Sequence, residues 1–170
     1  MGIRISGVVE TIRHLEEYKK RVKRNQHTLL AKLAEIGINT AQVRFSTAQY
    51  DGTNDVKVPA EPTWVSDSKL IISAQGSTVA FIEFGTGVHY SETHPKAGEF
   101  GAVRSGYGHG LGKLDSWRYI GEPGSNGEPS TKHPGYIVTH GNPPAMAMFQ
   151  AGEDMRNRIL EIAKEVYDNG

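Results

Sequence analysis

Apolar residues recur every seven positions along the first quarter of the chain, and this spacing constrains the fold more than any other feature. The series is Leu15, Val22, Leu29, Ile36 and Val43, with Ile12, Leu30 and Leu33 beside it. Such a repeat places its members on one face of an α-helix. It predicts a long amphipathic helix with a break near Asn25 or Gly37. Because Lys19, Gln26 and Thr40 interrupt the second seam of a coiled coil, we expect the helix to pack on a sheet.

Short β-rich runs follow this helical region. Val56–Val58 alternates in polarity, and Trp64–Val65 is typical of the start of a strand. The clearest signal comes from the runs Leu70–Ala74 and Thr78–Phe84, which are joined by the turn-like segment Gln75–Ser77. Two β-rich runs with a short Gly-containing connection predict an antiparallel hairpin.

Residues 87–141 are rich in Gly, Pro, His, Ser and Tyr, and include the cluster Gly106–Gly110. Long segments without a periodic pattern are usually functional loops or disordered ones. We expect this loop to become ordered against another subunit. The segments Trp117–Ile120 and Tyr136–Val138 are the predicted anchors within it.

The C-terminal region is again helical in pattern. Asn142 is a predicted cap, Pro143 and Pro144 suit a first turn, and the expected buried stripe contains Met146, Phe149, Ile159, Ile162, Ala163 and Val166. The predicted fold class is α+β: a long N-terminal helix and a C-terminal helix packed on a small antiparallel sheet. One domain is expected over residues 1–170, with the Gly-rich loop at about 87–141 as an insertion. Residues 2–7 are predicted to be extended.

Composition narrows the function classes. The chain has 170 residues, no net formal charge and no cysteine, so disulfides, thiolate zinc sites and cysteine nucleophiles are excluded. The first residues lack the apolar core of a signal peptide, and no run approaches the length of a membrane span. We therefore expect a protein that is made in a cytoplasm and has no membrane partner.

The zero net charge conceals an uneven distribution. Residues 1–44 contain nine Lys and Arg but only four Glu. The densest part of this region consists of Lys19, Lys20, Arg21, Lys23 and Arg24. Such a run suits nucleic-acid phosphates or an acidic protein surface, and it also suits a solvated helix face. No specific DNA-binding or RNA-binding motif accompanies it.

No enzyme signature is present in the sequence. Five histidines fall in the long loop, namely His89, His94, His109, His133 and His140, but none has the spacing of a zinc-protease motif. Glu83 and Asp115 could serve as an acid–base pair only if the fold joined them, and the favoured role of Glu83 is to bind backbone amides or a basic side chain. The glycine clusters do not match a phosphate-binding P-loop. We predict a protein without catalytic residues, metal or cofactor, with a metal-dependent enzyme as an alternative.

The segment Phe81-Ile82-Glu83-Phe84-Gly85-Thr86-Gly87 resembles the aromatic-Ile/Val-Glu-Phe-Gly-Thr signature of small tailed-bacteriophage neck and tail-completion proteins. That family also has a helical region before the signature and a Pro-containing turn before a C-terminal helix. Gly141–Ala151 resembles this turn, while Trp117–Tyr119 and Thr139–Gly141 resemble elements of longer members. The aromatic-Leu or aromatic-Met pair that usually follows the proline is replaced here by Ala145–Phe149, and the loop is longer than in compact members.

The resemblance implies a structural virion protein that forms a homo-oligomeric ring during head–tail joining or tail completion. Its implied partners are other neck, connector and tail proteins, with passing contact to DNA, and its implied location is the virion after assembly in the host cytoplasm. The implied signature and subunit-contact residues are Phe81, Ile82, Glu83, Phe84, Gly85, Thr86, Trp117, Pro143, Pro144 and Phe149. A nucleic-acid-binding accessory protein that uses the basic helix is the alternative.

Overall fold

A computed structural model of the chain describes residues 7–87, 89–90, 93–101 and 114–168. Residues 2–6 of the predicted extended segment 2–7 and the cluster Gly106–Gly110 lie outside the described residues. Gly7 is described and has a φ of 90°, so the prediction of an extended backbone is wrong for this residue. The elements in chain order are α1 Val8–Ser46, β1 Thr63–Ser66, β2 Lys69–Ile71, α2 Val79–Phe84, β3 Trp117–Tyr119, β4 Glu128–Pro129, β5 Ile137–Thr139 and α3 Ala147–Asp168. This arrangement of long terminal helices and small antiparallel sheets confirms the predicted α+β class.

Helix α1 is a single uninterrupted helix of 39 residues, so the predicted break near Asn25 or Gly37 is wrong. Both residues are buried within it. A Cβ atom at position 37 would lie 2.8 Å from Ile72 Cδ1 and 2.8 Å from Met155 Sδ. Gly37 therefore permits close packing of α1 against its neighbours and does not interrupt the helix.

The main packing partner of α1 is α3 and not a sheet, so the expectation that this helix packs on a sheet is wrong. Lys32 Nζ lies 2.5 Å from Glu165 Oε1, and Thr40 Oγ1 donates a 2.8 Å hydrogen bond to Asp154 Oδ2. These two contacts establish that the helices run antiparallel. The buried residues of the two helices form two clusters: Leu33, Ile162 and Val166 make up one, and Ala41, Phe45, Ala147 and Ala151, joined by Ile82 of α2, make up the other.

The predicted apolar stripe of α1 is buried only in its middle. Leu15 and Val43, near its two ends, are 61% and 60% exposed, so their predicted burial is wrong. Two physical reasons account for this. At 1.5 Å per residue α3 is about 33 Å long and α1 about 58 Å, so α3 covers little more than half of α1. In addition, the face of a straight helix drifts from a seven-residue repeat, and burial moves to a row of neighbouring positions, namely Ala34, Ile38, Ala41 and Phe45.

The strands form two small antiparallel sheets. Strands β1 and β2 make a hairpin with an irregular register between Trp64 and Ser66. Strand β5 lies between β3 and β4 in a three-stranded sheet. The expectation of an irregular loop is therefore wrong for this part of the Gly-rich region, although the sheet uses both predicted anchor segments.

The predicted hairpin between Leu70–Ala74 and Thr78–Phe84 is not formed. Strand β2 ends at Ile71 and pairs with the preceding strand, while residues 79–84 form the short helix α2. The adjacent residues Ile82 and Glu83 are both buried, at 1% and 5% exposure. Neighbouring residues of a strand point to opposite faces, so a strand with one solvated face could not bury both side chains.

Helix α3 begins at Ala147, later than its predicted cap at Asn142 and its predicted first turn at Pro143 and Pro144. Met146 has a positive φ of 51°, which is outside the right-handed helical region, so the helix cannot extend upstream through this residue. Asn142 instead pairs with Thr86, as described below. Within the described part of the chain, no helix combines the length and hydropathy that a membrane span requires.

Candidate functional site

Glu83 caps the first turn of α3 from another part of the chain. Its Oε2 atom accepts the Met148 N–H at 2.9 Å, and its Oε1 atom accepts the Phe149 N–H at 2.9 Å. The first N–H groups of a helix lack intrahelical partners and carry partial positive charge, so a carboxylate is well suited to this position. The sequence interpretation that Glu83 binds backbone amides is confirmed.

His94 completes the surroundings of this carboxylate. Its side chain is almost fully buried, and Nε2 lies 3.2 Å from Glu83 Oε1. The Lys96 N–H donates a 2.9 Å hydrogen bond to Nδ1 of the same ring. Since Nδ1 accepts, the ring proton is assigned to Nε2, which donates to Glu83. The imidazole also packs against Phe84 and Phe149, with ring centroids 4.5 and 5.5 Å away.

Gly85 lies where the signature passes close to the segment before α3. Its φ of 78° falls in the region that favours glycine. A Cβ atom here would lie 2.7 Å from the Asn142 carbonyl oxygen and 2.8 Å from the Pro144 nitrogen. The backbone contact is therefore too close for a side chain, so the structure requires glycine at this position.

Thr86 joins the end of the signature to Asn142. The Thr86 N–H donates to the Asn142 carbonyl at 2.9 Å, and the Asn142 N–H donates to the Thr86 carbonyl at 3.2 Å. The Thr86 hydroxyl oxygen is also 3.0 Å from the Asn142 nitrogen. Two further backbone bonds, from Ala145 to Ile82 and from Met146 to Glu83, continue this pairing up to the start of α3. The signature thus holds the whole segment that leads into α3.

A second buried carboxylate, Asp51, was not predicted from the sequence. Its Oδ1 atom accepts the Asn126 N–H at 2.6 Å, and its other oxygen accepts the Thr139 hydroxyl. The side-chain amide of Asn126 in turn donates a hydrogen bond of 3.1 Å from Nδ2 to Asn142 Oδ1. Asp51 therefore connects the region after α1 to the three-stranded sheet and to the signature partner Asn142. The only signal in the sequence is an ordinary Asp-Gly pair, which is typical of any turn.

Asp55 caps the short helix α2. Its carboxylate accepts hydrogen bonds from the backbone N–H groups of Ser77 at 2.7 Å and Thr78 at 3.0 Å, and from both hydroxyl groups. These hydrogen bonds, led by the one from the Thr78 hydroxyl, hold the pKa of Asp55 well below its ordinary value. Asp55 thereby fixes the N-terminal end of the helix that carries Glu83.

The other residues of the resemblance surround this junction. Phe81 is 41% exposed, whereas Phe84, Trp117, Pro143, Pro144 and Phe149 are partly buried. Ile82 and Glu83 lie inside the folded chain, so they support its internal structure and do not form its outer surface. Of the ten signature and contact residues, Phe81 presents the largest apolar side chain to solvent.

The described histidines do not assemble a metal site. No group of three or more His, Cys, Asp or Glu residues suited to a metal ion occurs in the described ranges, and His109 lies outside them. Both ring nitrogens of His94 have protein partners. His89 Nε2 lies 3.8 Å from Asp115 Oδ1, and His140 Nδ1 lies 3.0 Å from the Asp115 carbonyl oxygen. The contacts of Asp115 are thus with these two histidines, while those of Glu83 are with His94 and α3.

The basic run lies far from this junction, on the N-terminal half of α1. Lys19, Lys20, Arg21, Lys23 and Arg24 are all exposed. Lys23 Nζ lies 3.9 Å from the exposed Asp67 carboxylate, and the Arg21 guanidinium lies 5.5 Å from the centroid of the Tyr18 ring. The structure therefore presents these cations to solvent on a helix, as a binding surface would require.

Comparison with protein-family models, with curated proteins and with solved structures finds no match to this chain.

Proposed function

We propose that this protein is a structural component of a tailed phage or prophage particle that acts in head–tail joining or tail completion as a ring-forming neck protein. The observation that carries the proposal is the capping of α3 by Glu83, the acidic residue of the resemblance. Gly85 and Thr86 have equally specific structural roles beside it. The signature segment, residues 81–87, therefore holds α3 in a fixed position relative to α1 and the three-stranded sheet.

The chemistry of this junction suits a structural role. Glu83 uses its carboxylate for two helix N–H groups and for His94, so these interactions already employ the group that a general base would need. A rigid subunit is useful in a ring because each contact must repeat at the same angle for the ring to close. The partners of this proposed ring are the connector and tail proteins on either side of it.

Labelling of particles tests the proposal. A peptide tag on this chain, detected with gold-conjugated antibody in electron micrographs, should mark the head–tail junction or the upper end of the tail. Particles that carry a tagged tail-tube protein provide a positive control for labelling along the tail. Purified particles from which the tagged chain is absent, although it is expressed and soluble in the cell, would contradict the proposal.

The alternative is a nucleic-acid-binding accessory protein, which is favoured by the exposed cations of α1. Binding through phosphate contacts weakens steeply as salt concentration rises. Reversal of charge at Lys19, Lys20 and Lys23 should then abolish binding to duplex DNA at physiological salt. Wild-type protein that binds no DNA under these conditions would remove this alternative.

A further inference from the structure

Trp64 stacks on His27 where the β1–β2 hairpin meets α1. The ring centroids are 3.9 Å apart, and the ring planes are inclined to each other by only 6°. Trp64 pairs with Leu70 across the hairpin, so these two side chains share the face that is turned towards α1. Trp64 nevertheless remains 36% exposed, and His27 is exposed as well. The fold therefore places a planar aromatic platform, consisting of His27 and Trp64, at the surface beside α1.

Three cations of α1 lie on the same helix face as this platform. Lys20, Lys23 and Arg24 precede His27 by seven, four and three residues, and all three are exposed. At about 100° per residue, each of them lies within about 60° of His27 around the helix axis. The three side chains and the platform therefore form one continuous surface.

The other two cations of the basic run lie on different faces of α1. By the same geometry Lys19 is about 80° and Arg21 about 120° away from His27. The Arg21 guanidinium also packs over the ring of Tyr18, 5.5 Å from its centroid. The fold thus divides the basic run, and only part of it adjoins the platform.

Two carboxylates lie near the three cations. Asp67, in the turn of the hairpin, has its Oδ2 atom 3.9 Å from Lys23 Nζ, but its side chain is 88% exposed. Exposed ion pairs are weak, so a phosphate group can replace Asp67 beside this lysine. Glu16 precedes Lys20 by four residues. Lys20 and Arg24 form no ion pair with any carboxylate in the part of the chain that the structure describes, so both can bind an external anion.

We infer that the platform and the three cations bind single-stranded nucleic acid. An unpaired base stacks on the exposed part of the Trp64 indole, and backbone phosphates contact Lys20, Lys23 and Arg24. From Lys20 to His27 the surface is about 10 Å long, which is the length of about three stacked nucleotides. The inference goes beyond the proposed neck function and does not depend on it.

Other anionic partners use only part of this surface. Duplex nucleic acid satisfies the cations, but its bases are stacked on one another and leave the indole of Trp64 uncovered. An acidic protein surface likewise pairs with Lys20, Lys23 and Arg24 without requiring a flat ring beside them. A single strand is the polyanion that uses both parts of the site, because each of its bases has a π-face free to stack.

Fluorescence anisotropy of a labelled oligothymidylate tests the inference on the whole chain. Wild-type protein should bind this single strand at physiological salt, and more tightly than a duplex of the same length. Trp64→Leu should bind it about tenfold more weakly, because one base loses its stacking partner. The oligonucleotide should also quench tryptophan fluorescence in the wild type but not in Trp64→Leu, whose remaining tryptophan is Trp117.

Two charge-matched double variants locate the phosphate contacts. Lys20→Gln with Arg24→Gln should weaken binding at least about tenfold and reduce the slope of log affinity against log salt by about 1.4, because two phosphate contacts are lost. Lys19→Gln with Arg21→Gln removes the same charge from other faces of α1 and should keep the wild-type slope. All four side chains are exposed, so both variants should fold.

Three results would overturn the inference. Wild-type protein that does not bind the single strand at physiological salt has no such site. Equal losses in the two double variants would assign binding to the overall charge of α1. Duplex bound as tightly as single strand, or unchanged affinity in Trp64→Leu, would mean that no base stacks on the platform. Because Trp64→Leu can also loosen the hairpin, the double variants, which leave the hairpin intact, test the site independently.

Discussion

The Glu83 carboxylate accepts the backbone N–H of Met148 at 2.9 Å, although the two residues are 65 positions apart in the sequence. This contact joins the short helix α2 to the start of α3 across the whole Gly-rich region. It is reinforced by the close approach of Gly85 to Asn142 and Pro144. The orientation of α3 relative to the rest of the protein therefore depends on a few residues around position 83.

Replacement of Glu83 should destabilise the fold markedly. In Glu83→Ala, two N–H groups of α3 lose their acceptor and His94 loses its partner, so we expect the free energy of unfolding to fall by about 3 kcal/mol. Glu83→Gln retains one acceptor oxygen and should lose about 1–2 kcal/mol. Urea denaturation measures both, with Glu61→Ala on the exposed surface as a control that should change by less than about 0.5 kcal/mol. Equal stability of Glu83→Ala and the control would contradict the capping role.

Two glycine substitutions should have opposite effects. Gly85→Ala places a Cβ atom against backbone atoms at a positive φ, and we expect it to lose about 2–4 kcal/mol of stability. Gly152→Ala lies within α3 with no atom within 4 Å of the added Cβ, and it should gain about 0.5–1 kcal/mol. Thermal unfolding of the two variants provides the comparison. A Gly85→Ala protein as stable as wild type would contradict the close packing described here.

Acid should weaken the fold in part through Asp55. Because the folded state lowers the pKa of this carboxyl below its ordinary value of 3.8, it stabilises the fold above that pH. This stabilisation is lost progressively as the pH falls below about 4 towards the lower pKa of the folded state. Asp55→Asn should therefore give a shallower fall of unfolding free energy between pH 4 and pH 2. Asp67→Asn, on an exposed carboxylate, should keep the wild-type slope, and an Asp55→Asn slope equal to it would contradict this assignment.

His94 should hold residues 93–101 against the body of the protein. His94→Leu retains an apolar side chain between Phe84 and Phe149 but leaves the Lys96 N–H and Glu83 each without one hydrogen-bond partner. We expect a loss of about 1–3 kcal/mol, together with faster hydrogen exchange at residues 93–101. His133→Leu, on an exposed histidine, should alter neither quantity. Unchanged exchange at residues 93–101 in His94→Leu would show that the segment is held by other contacts.

The sequence was informative where a pattern extended over many residues. The apolar repeat predicted α1, and the C-terminal stripe predicted α3, because helical periodicity is clear over several turns. The strands β3, β4 and β5 contain only two or three residues each, so no alternation could develop in them. For the same reason the six residues of α2 could not be distinguished from a strand by composition, since Val, Phe and Ile favour strands when local preference alone decides.

The candidate site was predictable only in part. The resemblance selected Glu83, Gly85 and Thr86, and Glu83 was expected to bind backbone amides, as it does. The roles of His94 and Asp51 depend on contacts between residues far apart in the sequence, which no local pattern encodes. The start of α3 was misplaced because Pro143 and Pro144 suit a helical first turn, whereas the helix is in fact capped by a distant carboxylate.

Electron microscopy of particles that lack this protein tests the central claim most directly. The gene would be deleted from its phage or prophage and supplied again in trans as a control. The proposed neck function predicts separate heads and tails, or tails with a faulty length or end, and restoration of joined particles by the wild-type chain. Normal, joined and infectious particles without the protein would contradict the proposed role in head–tail joining and tail completion.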